Sequence, residues 1–118
     1  MKKLIIAVDF DGTLHTGEWP SIGEPMPWAI DNMKRLKEDG HYLIIWSCRE
    51  GREQTAMVNW LLERGIPFDR VNEHNPENII KYGGDARKIF ADLYIDDKQV
   101  GGLPDWDEIY KTITNNAV

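Results

Sequence analysis

The sequence predicts an α/β domain in which a mostly parallel sheet is sandwiched between helical layers, three layers in all. Two observations lead there. The strand-like runs are apolar throughout rather than alternating, as in strands covered on both faces, and they alternate along the chain with segments of helical period. A third observation says where function belongs. Three of the runs end in polar residues of catalytic type, namely Asp9 with Asp11, Ser47, and Asp96 with Asp97, and sheets of this kind bind ligands beyond the carboxyl ends of their strands.

The first run, Leu4 to Val8, is a strand that stops at Asp9-Phe10-Asp11-Gly12. Residues 12 to 25 hold three glycines and two prolines without a helical period, which predicts a long loop with room for a small hairpin. From Met26 to Asp39 the apolar residues Ala29, Ile30, Met33 and Leu36 share one helical face; Pro27 suits the first turn and Gly40 the C-terminal cap. Tyr42 to Trp46 is the second strand, closed by Ser47-Cys48-Arg49-Glu50-Gly51. In the next helix Ala56, Met57, Trp60 and Leu61 share a face, and Gly65 and Pro67 end it. Phe68 to Val71 reads as a weak third strand, and Asn72 to Gly84 as a loop with a helical turn at Pro76 to Tyr82. Leu93 to Ile95 is the last strand, running into Asp96-Asp97. Pro104 then opens a helix with Trp106, Ile109, Tyr110 and Ile113 on one face and Asp105, Asp107 and Glu108 near its positive end. Trp28, Trp46, Trp60 and Trp106 all read as core.

A chain of 118 residues suits one domain spanning 1–118. Its 42% hydrophobic and 29% charged content is that of a folded protein. Twenty acidic against fourteen basic side chains give a net charge of -6, which disfavours general nucleic-acid binding. One cysteine, Cys48, makes neither an internal disulfide nor a multi-cysteine zinc site. The apolar start is too short for a signal sequence, and no run approaches the ~20 residues of a membrane span. The expectation is a soluble, cytoplasmic protein with no membrane partner.

Four carboxylates gathered at one sheet edge repel one another, by about 4 kcal/mol for unit charges ~4 Å apart at an effective dielectric near 20. A cation must therefore sit among them. Hard oxygen donors without a His or Cys cluster nominate Mg²⁺, commonly completed by substrate phosphate, and phosphoryl transfer is the usual chemistry of such a site. Residues i and i+2 of an extended segment share a face, so Asp9 and Asp11 address one substrate together, with Gly12 supplying the turn.

Asp9-Phe10-Asp11-Gly12-Thr13-Leu14 after an apolar strand, Ser47 closing a second, Lys88, and Asp96-Asp97 closing a later one resemble the four ordered motifs of the haloacid dehalogenase (HAD) superfamily. The resemblance spans Leu4 to about Asp97 and implies a Rossmann-like sheet. It implies that Asp9 is a nucleophile forming an aspartyl-phosphate and that Asp11 is the general acid, so the carboxyl of Asp11 is expected to have a raised pKa. It implies further that Ser47 and Lys88 bind the phosphoryl group, with Lys81 and Arg87 as substitutes for the lysine. Mg²⁺ would be held by Asp9, the backbone carbonyl of Asp11, Asp96 and Asp97, with either of the last two as the direct ligand. An acid at position 11 favours phosphomonoester hydrolysis over the other reactions of the superfamily.

A separate cap domain needs roughly 50 residues, and neither interval between motifs can spare them, so the chain resembles the capless branch. Loop 12–25 is then the only local cover of an open site. Such a site takes a phosphorylated small molecule or macromolecular terminus, or borrows a second copy of the chain as its lid. Arg49 and Arg52, at a predicted helix start, are candidates for a second anionic group of the substrate; His15 and Trp19, in the loop, are candidates for its leaving group. Two rivals stand beside the phosphatase. One is a phospho-acceptor module resembling a response-regulator receiver, against which Asp96-Asp97 after Lys88 argues. The other is a degenerate domain that binds metal or phosphate without turnover.

Overall fold

In the computed structural model, which describes residues 2–116, four strands form one parallel sheet: β1 (Ile5–Val8), β2 (Tyr42–Ile45), β3 (Arg70–Val71) and β4 (Leu93–Ile95). Their order is β3-β2-β1-β4. The helices are α1 (Ala29–Glu38), α2 (Gly51–Glu63), α3 (Pro76–Tyr82) and α4 (Trp106–Asn116). The chain steps from β1 to β2 to β3 in one direction and then returns to the far side of β1. Right-handed crossovers accordingly place α1 and α2 on one face and α3 on the other. The direction reverses between β1 and β4, which is where a sheet of this type opens a crevice for ligands.

Alternate strand residues feed two cores of unequal size. Ile6, Val8, Leu43, Ile45 and Ile95 pack with Met33 and Leu36 of α1, Met57, Trp60 and Leu61 of α2, and Trp106, Ile109 and Ile113 of α4. On the opposite face Ala7 and Ile44 meet only Ile89 and Ala91, with half-buried Ile5, Tyr42 and Trp46 around them. None of the α3 side chains is fully buried, so this outer layer is thin. Asn32 ties α1 to α4 by donating to Asp107 at 2.8 Å.

The predicted three-layer α/β fold with a parallel sheet is the one observed, and its elements differ in detail. The first helix begins at Ala29 rather than Met26, because Trp28 takes a left-handed φ of 65° that cannot belong to a helix. Trp28 is also 58% exposed, not core. Gly40, at φ 91°, ends this helix as expected. The third strand shrinks to Arg70–Val71. Residues 76–82 are a true helix, with Asn75 accepting from the Glu77 N–H at its start. Pro104 lies before the last helix, which Asp105 caps by accepting from the Asp107 N–H. Among the described residues no helix is long and apolar enough to cross a membrane.

His41 is fully buried and its Nδ1 accepts from the Leu4 N–H, while Nε2 has no hydrogen-bond partner among the described residues. Burial holds the imidazole below its usual pKa, Lys3 adds to the effect, and Asp39 opposes it. The unfolded chain takes up this proton near pH ~6.5, before the folded one does. The stability that neutral His41 contributes is therefore complete above that pH and is lost as pH falls below it. His41→Asn keeps the acceptor and drops the titration. Its denaturation midpoint should fall less than that of the wild type between pH 7 and pH 5, and equal slopes would overturn this assignment.

Candidate functional site

Asp9 follows β1, and Asp96 and Asp97 follow the neighbouring β4, in register through Val8 and Ile95. The Asp9 N–H donates to the Ile95 carbonyl at 2.9 Å, extending the ladder past both strand ends. Each of the three carboxylates offers an oxygen within 4.8 Å of the others. Thr13, fully buried, ties the Asp9 carboxylate to the Asp97 backbone: its hydroxyl donates to Asp9 Oδ2 and accepts from the Asp97 N–H, both at 3.1 Å. Trp106 fixes Thr13 in turn, its indole N–H donating to the Thr13 carbonyl at 2.9 Å.

The cluster is electrostatically frustrated. Burial first, then the Asp97 carboxyl and the Asp96 charge, push Asp9 up to about 7, against the opposing hydrogen bond from Thr13. Asp97 Oδ1 is buried without a hydrogen-bond partner among the described residues. An orphaned carboxylate oxygen beside two further hard oxygen donors fits a divalent cation such as Mg²⁺. Asp9, Asp96 and Asp97 are the side chains that would hold it.

Asp11 faces a different environment. Arg49 grips it as a fork, Nε to Oδ2 at 2.9 Å and Nη2 to Oδ1 at 2.7 Å, and His15 Nε2 reaches Oδ1 at 2.8 Å. Burial raises the Asp11 pKa, but the bonds and charges of Arg49 and His15 outweigh it and hold the carboxyl below its usual value. Asp11 is thus tuned opposite to expectation, held down by Arg49 and His15, while burial and its acidic neighbours push Asp9 up. His15 and Arg49 are also not free for substrate in this arrangement. They are 0% and 2% exposed and are spent on Asp11 and on loop 12–25.

A solved structure of a conserved protein from Bacteroides thetaiotaomicron is similar to this chain, with 42% identity and a TM-score of 0.89, over 99% of this chain and 94% of that one. The chain belongs to that protein's family. No protein-family model and no curated protein matches it.

In the family's fold, as this chain builds it, the remaining predicted residues are placed unevenly. Ser47 lies at the end of β2, its hydroxyl accepting from the Arg49 N–H at 3.1 Å and its N–H donating to Asn72 Oδ1 at 2.7 Å. Trp19 is 59% exposed at the loop tip, with the Arg49 guanidinium 4.8 Å from its ring centroid. Arg52 is exposed on the first turn of α2. Among the described residues, Lys88 forms no ion pair with the carboxylates. Its ammonium lies 5.0 Å from the Tyr94 ring centroid, and its side chain lines a cavity with His74, Asn78, Tyr82 and Phe90. Lys81 and Arg87 are likewise exposed and form no ion pair with the cluster among the described residues.

Sequence reasoning gave no role to Thr13 or Asn72. Thr13 stands inside the first motif. Asn72 follows a short strand and takes a left-handed φ of 55°, which asparagine tolerates best among residues with a Cβ. Gly12 is required by two things at once, a φ of 78° and the Asp97 carboxylate, whose Oδ2 would lie 2.2 Å from an added Cβ. Gly12→Ala should cost about 1–2 kcal/mol from the left-handed backbone alone. It should also displace Asp97, so stabilisation by added Mg²⁺ in a thermal melt should shrink; an unchanged melt and Mg²⁺ response would count against this geometry.

Proposed function

We propose that the chain is a Mg²⁺-dependent phosphomonoester hydrolase of the HAD superfamily, acting through an aspartyl-phosphate on Asp9. The observation that carries the reading is the cluster of Asp9, Asp96 and Asp97 at the adjacent ends of β1 and β4, with a buried carboxylate oxygen left unpartnered. The 42% identical solved relative shares the fold that places these strand ends together.

In this mechanism an Asp9 carboxylate oxygen attacks phosphorus and the ester P–O bond breaks. The leaving oxygen takes a proton from Asp11. Asp11, now ionised, removes a proton from water, and the hydroxide displaces phosphate from the acyl-phosphate, restoring Asp9. A bound Mg²⁺ supplies charge neutralisation for the carboxylates and the transferring phosphoryl group. The Ser47 hydroxyl is available to donate to a phosphoryl oxygen.

Two features of the site set requirements for turnover. Asp9 must lose the proton that its neighbours favour, and Asp11 must gain one that Arg49 disfavours. An incoming phosphate competes with Asp11 for the Arg49 fork, since phosphate and carboxylate match guanidinium equally in geometry. Withdrawal of Arg49 would free Asp11 to take up its proton.

The test is phosphate release from a panel of phosphomonoesters with Mg²⁺ or with EDTA. Turnover with Mg²⁺ and its loss in EDTA are expected. No turnover of any substrate would overturn the hydrolase reading, and a stable stoichiometric acyl-phosphate would favour the receiver-like module instead. Metal binding should also be pH-linked, because the ion competes with the Asp9 proton. The rise in melting temperature on adding Mg²⁺ should be larger at pH 8 than at pH 6; equal rises would contradict Asp9 as a ligand.

A further inference from the structure

We propose that His15 is a positioning residue that locks loop 12–25 and the Asp11 carboxylate into one rigid unit. The proposal rests on the reading of Asp11 as the acid of the reaction, and its physical content is separable from that reading. His15 is fully buried, and both ring nitrogens are committed. Nδ1 accepts two backbone N–H groups, from Gly17 at 3.0 Å and Gly23 at 3.1 Å. A nitrogen that accepts two N–H donors carries no hydrogen of its own, so the ring hydrogen resides on Nε2 and is donated to Asp11 Oδ1 at 2.8 Å. The imidazole is a three-point connector: one bond to each leg of the loop and one to the carboxylate.

The loop is built to receive that connector. Its legs pair through Thr16 N–H to the Glu24 carbonyl at 2.9 Å and Met26 N–H to the Leu14 carbonyl at 2.8 Å. Gly17 and Gly23 approach so closely that a Cβ on Gly17 would lie 2.4 Å from the Gly23 nitrogen, which keeps both N–H groups aimed at one ring atom. The tip is tethered to the same place. Arg49 Nη2 donates to Asp11 Oδ1 and also to the Pro20 carbonyl at 3.1 Å, and the guanidinium stacks on Trp19. Base and tip of the loop therefore converge on one carboxylate oxygen. Asp11 cannot rotate without breaking a bond that shapes the loop, and the loop cannot lift without releasing Asp11.

Two conservative variants separate the two halves of the connector. Asparagine places an amide oxygen near the Nδ1 position, so His15→Asn retains the loop bonds and loses the Asp11 bond. Glutamine places an amide nitrogen near the Nε2 position, so His15→Gln does the reverse. Amide hydrogen exchange at Gly17 and Gly23 should stay slow in the wild type and His15→Asn and speed up in His15→Gln. In the phosphatase assay kcat should fall roughly 10- to 100-fold in His15→Asn with KM little changed, the range that misplacing a reacting group produces. Imidazole ¹⁵N spectra of the wild type should show the Nε2–H tautomer. The Nδ1–H tautomer, or wild-type exchange in both variants, would overturn the proposal, and the tautomer measurement decides it even where a variant does not fold. Absence of phosphatase activity in the wild type would overturn the hydrolase reading alone.

Discussion

Asp9→Asn should reduce phosphomonoester turnover by roughly 10³-fold or more, as removal of a covalent nucleophile does, and should at the same time stabilise the metal-free protein at pH 8. The second effect follows from the direction of the Asp9 shift. Its folded pKa, about 7, lies above the ordinary 3.8, so the folded state binds a proton that the unfolded state has released. The resulting penalty sets in as pH rises above the unfolded value and is complete once pH exceeds the folded one. An amide cannot ionise and escapes it. Thermal melts in EDTA at pH 5 and pH 8, run beside the phosphate-release assay, test both halves. Unchanged turnover sinks the nucleophile assignment, and a variant less stable than the wild type at pH 8 contradicts the electrostatic account of the cluster. Loss of function with gain of stability is the pattern of a site whose charges are set for chemistry rather than folding.

Trp106→Ala should be the most damaging single change to the fold. The side chain is 1% exposed and packs where α4 meets the larger core, and truncations of this kind cost about 3–5 kcal/mol. That is a large share of the ~5–15 kcal/mol that holds a domain together, and it corresponds to a drop in melting temperature of roughly 12–20 °C for a chain of this length. Trp106→Phe separates packing from hydrogen bonding. It keeps most of the volume but leaves the Thr13 carbonyl without its indole donor, so it should recover most of the stability while still loosening the Thr13 contacts with Asp9 and Asp97. Chemical denaturation of the three proteins checks the order, and a Trp106→Ala variant within 1 kcal/mol of the wild type would contradict it.

The strand ends were the most legible part of this molecule. Asp9, Asp96 and Asp97 could be brought together from sequence because uniformly apolar runs announce parallel strands, and parallel strands all point their carboxyl ends to one edge. Legibility ended where side chains reach across long separations. Nothing local says that Arg49 would turn from a helix start to grip Asp11, 38 positions earlier, or that a histidine in a loop would fold inward instead of facing solvent. The expected tuning of Asp11 reversed for the same reason, since its pKa depends on partners supplied by tertiary structure. Trp28 misled because it stands next to the apolar residues that open α1 while its own backbone lies outside the helix. Thr13 was in plain view within the first motif, but its value lies in bonding Asp9 and also Asp97, which is 84 residues further along the chain.

The two faces of the sheet differ in how much they bury, and this bears on how firmly Lys88 is held. A layer held by few buried apolar contacts opens at lower free energy than the body of the domain. Lys88 belongs to that layer, on a stretch secured by Ile89 and Ala91, by the Tyr94 hydroxyl bonded to both, and by the His74 bonds to Ala86 and Phe90. Lys88 thus sits on the part of the molecule that is cheapest to rearrange, whereas Asp9 and Asp97 are anchored through Thr13 and Trp106 to the part that is hardest to move.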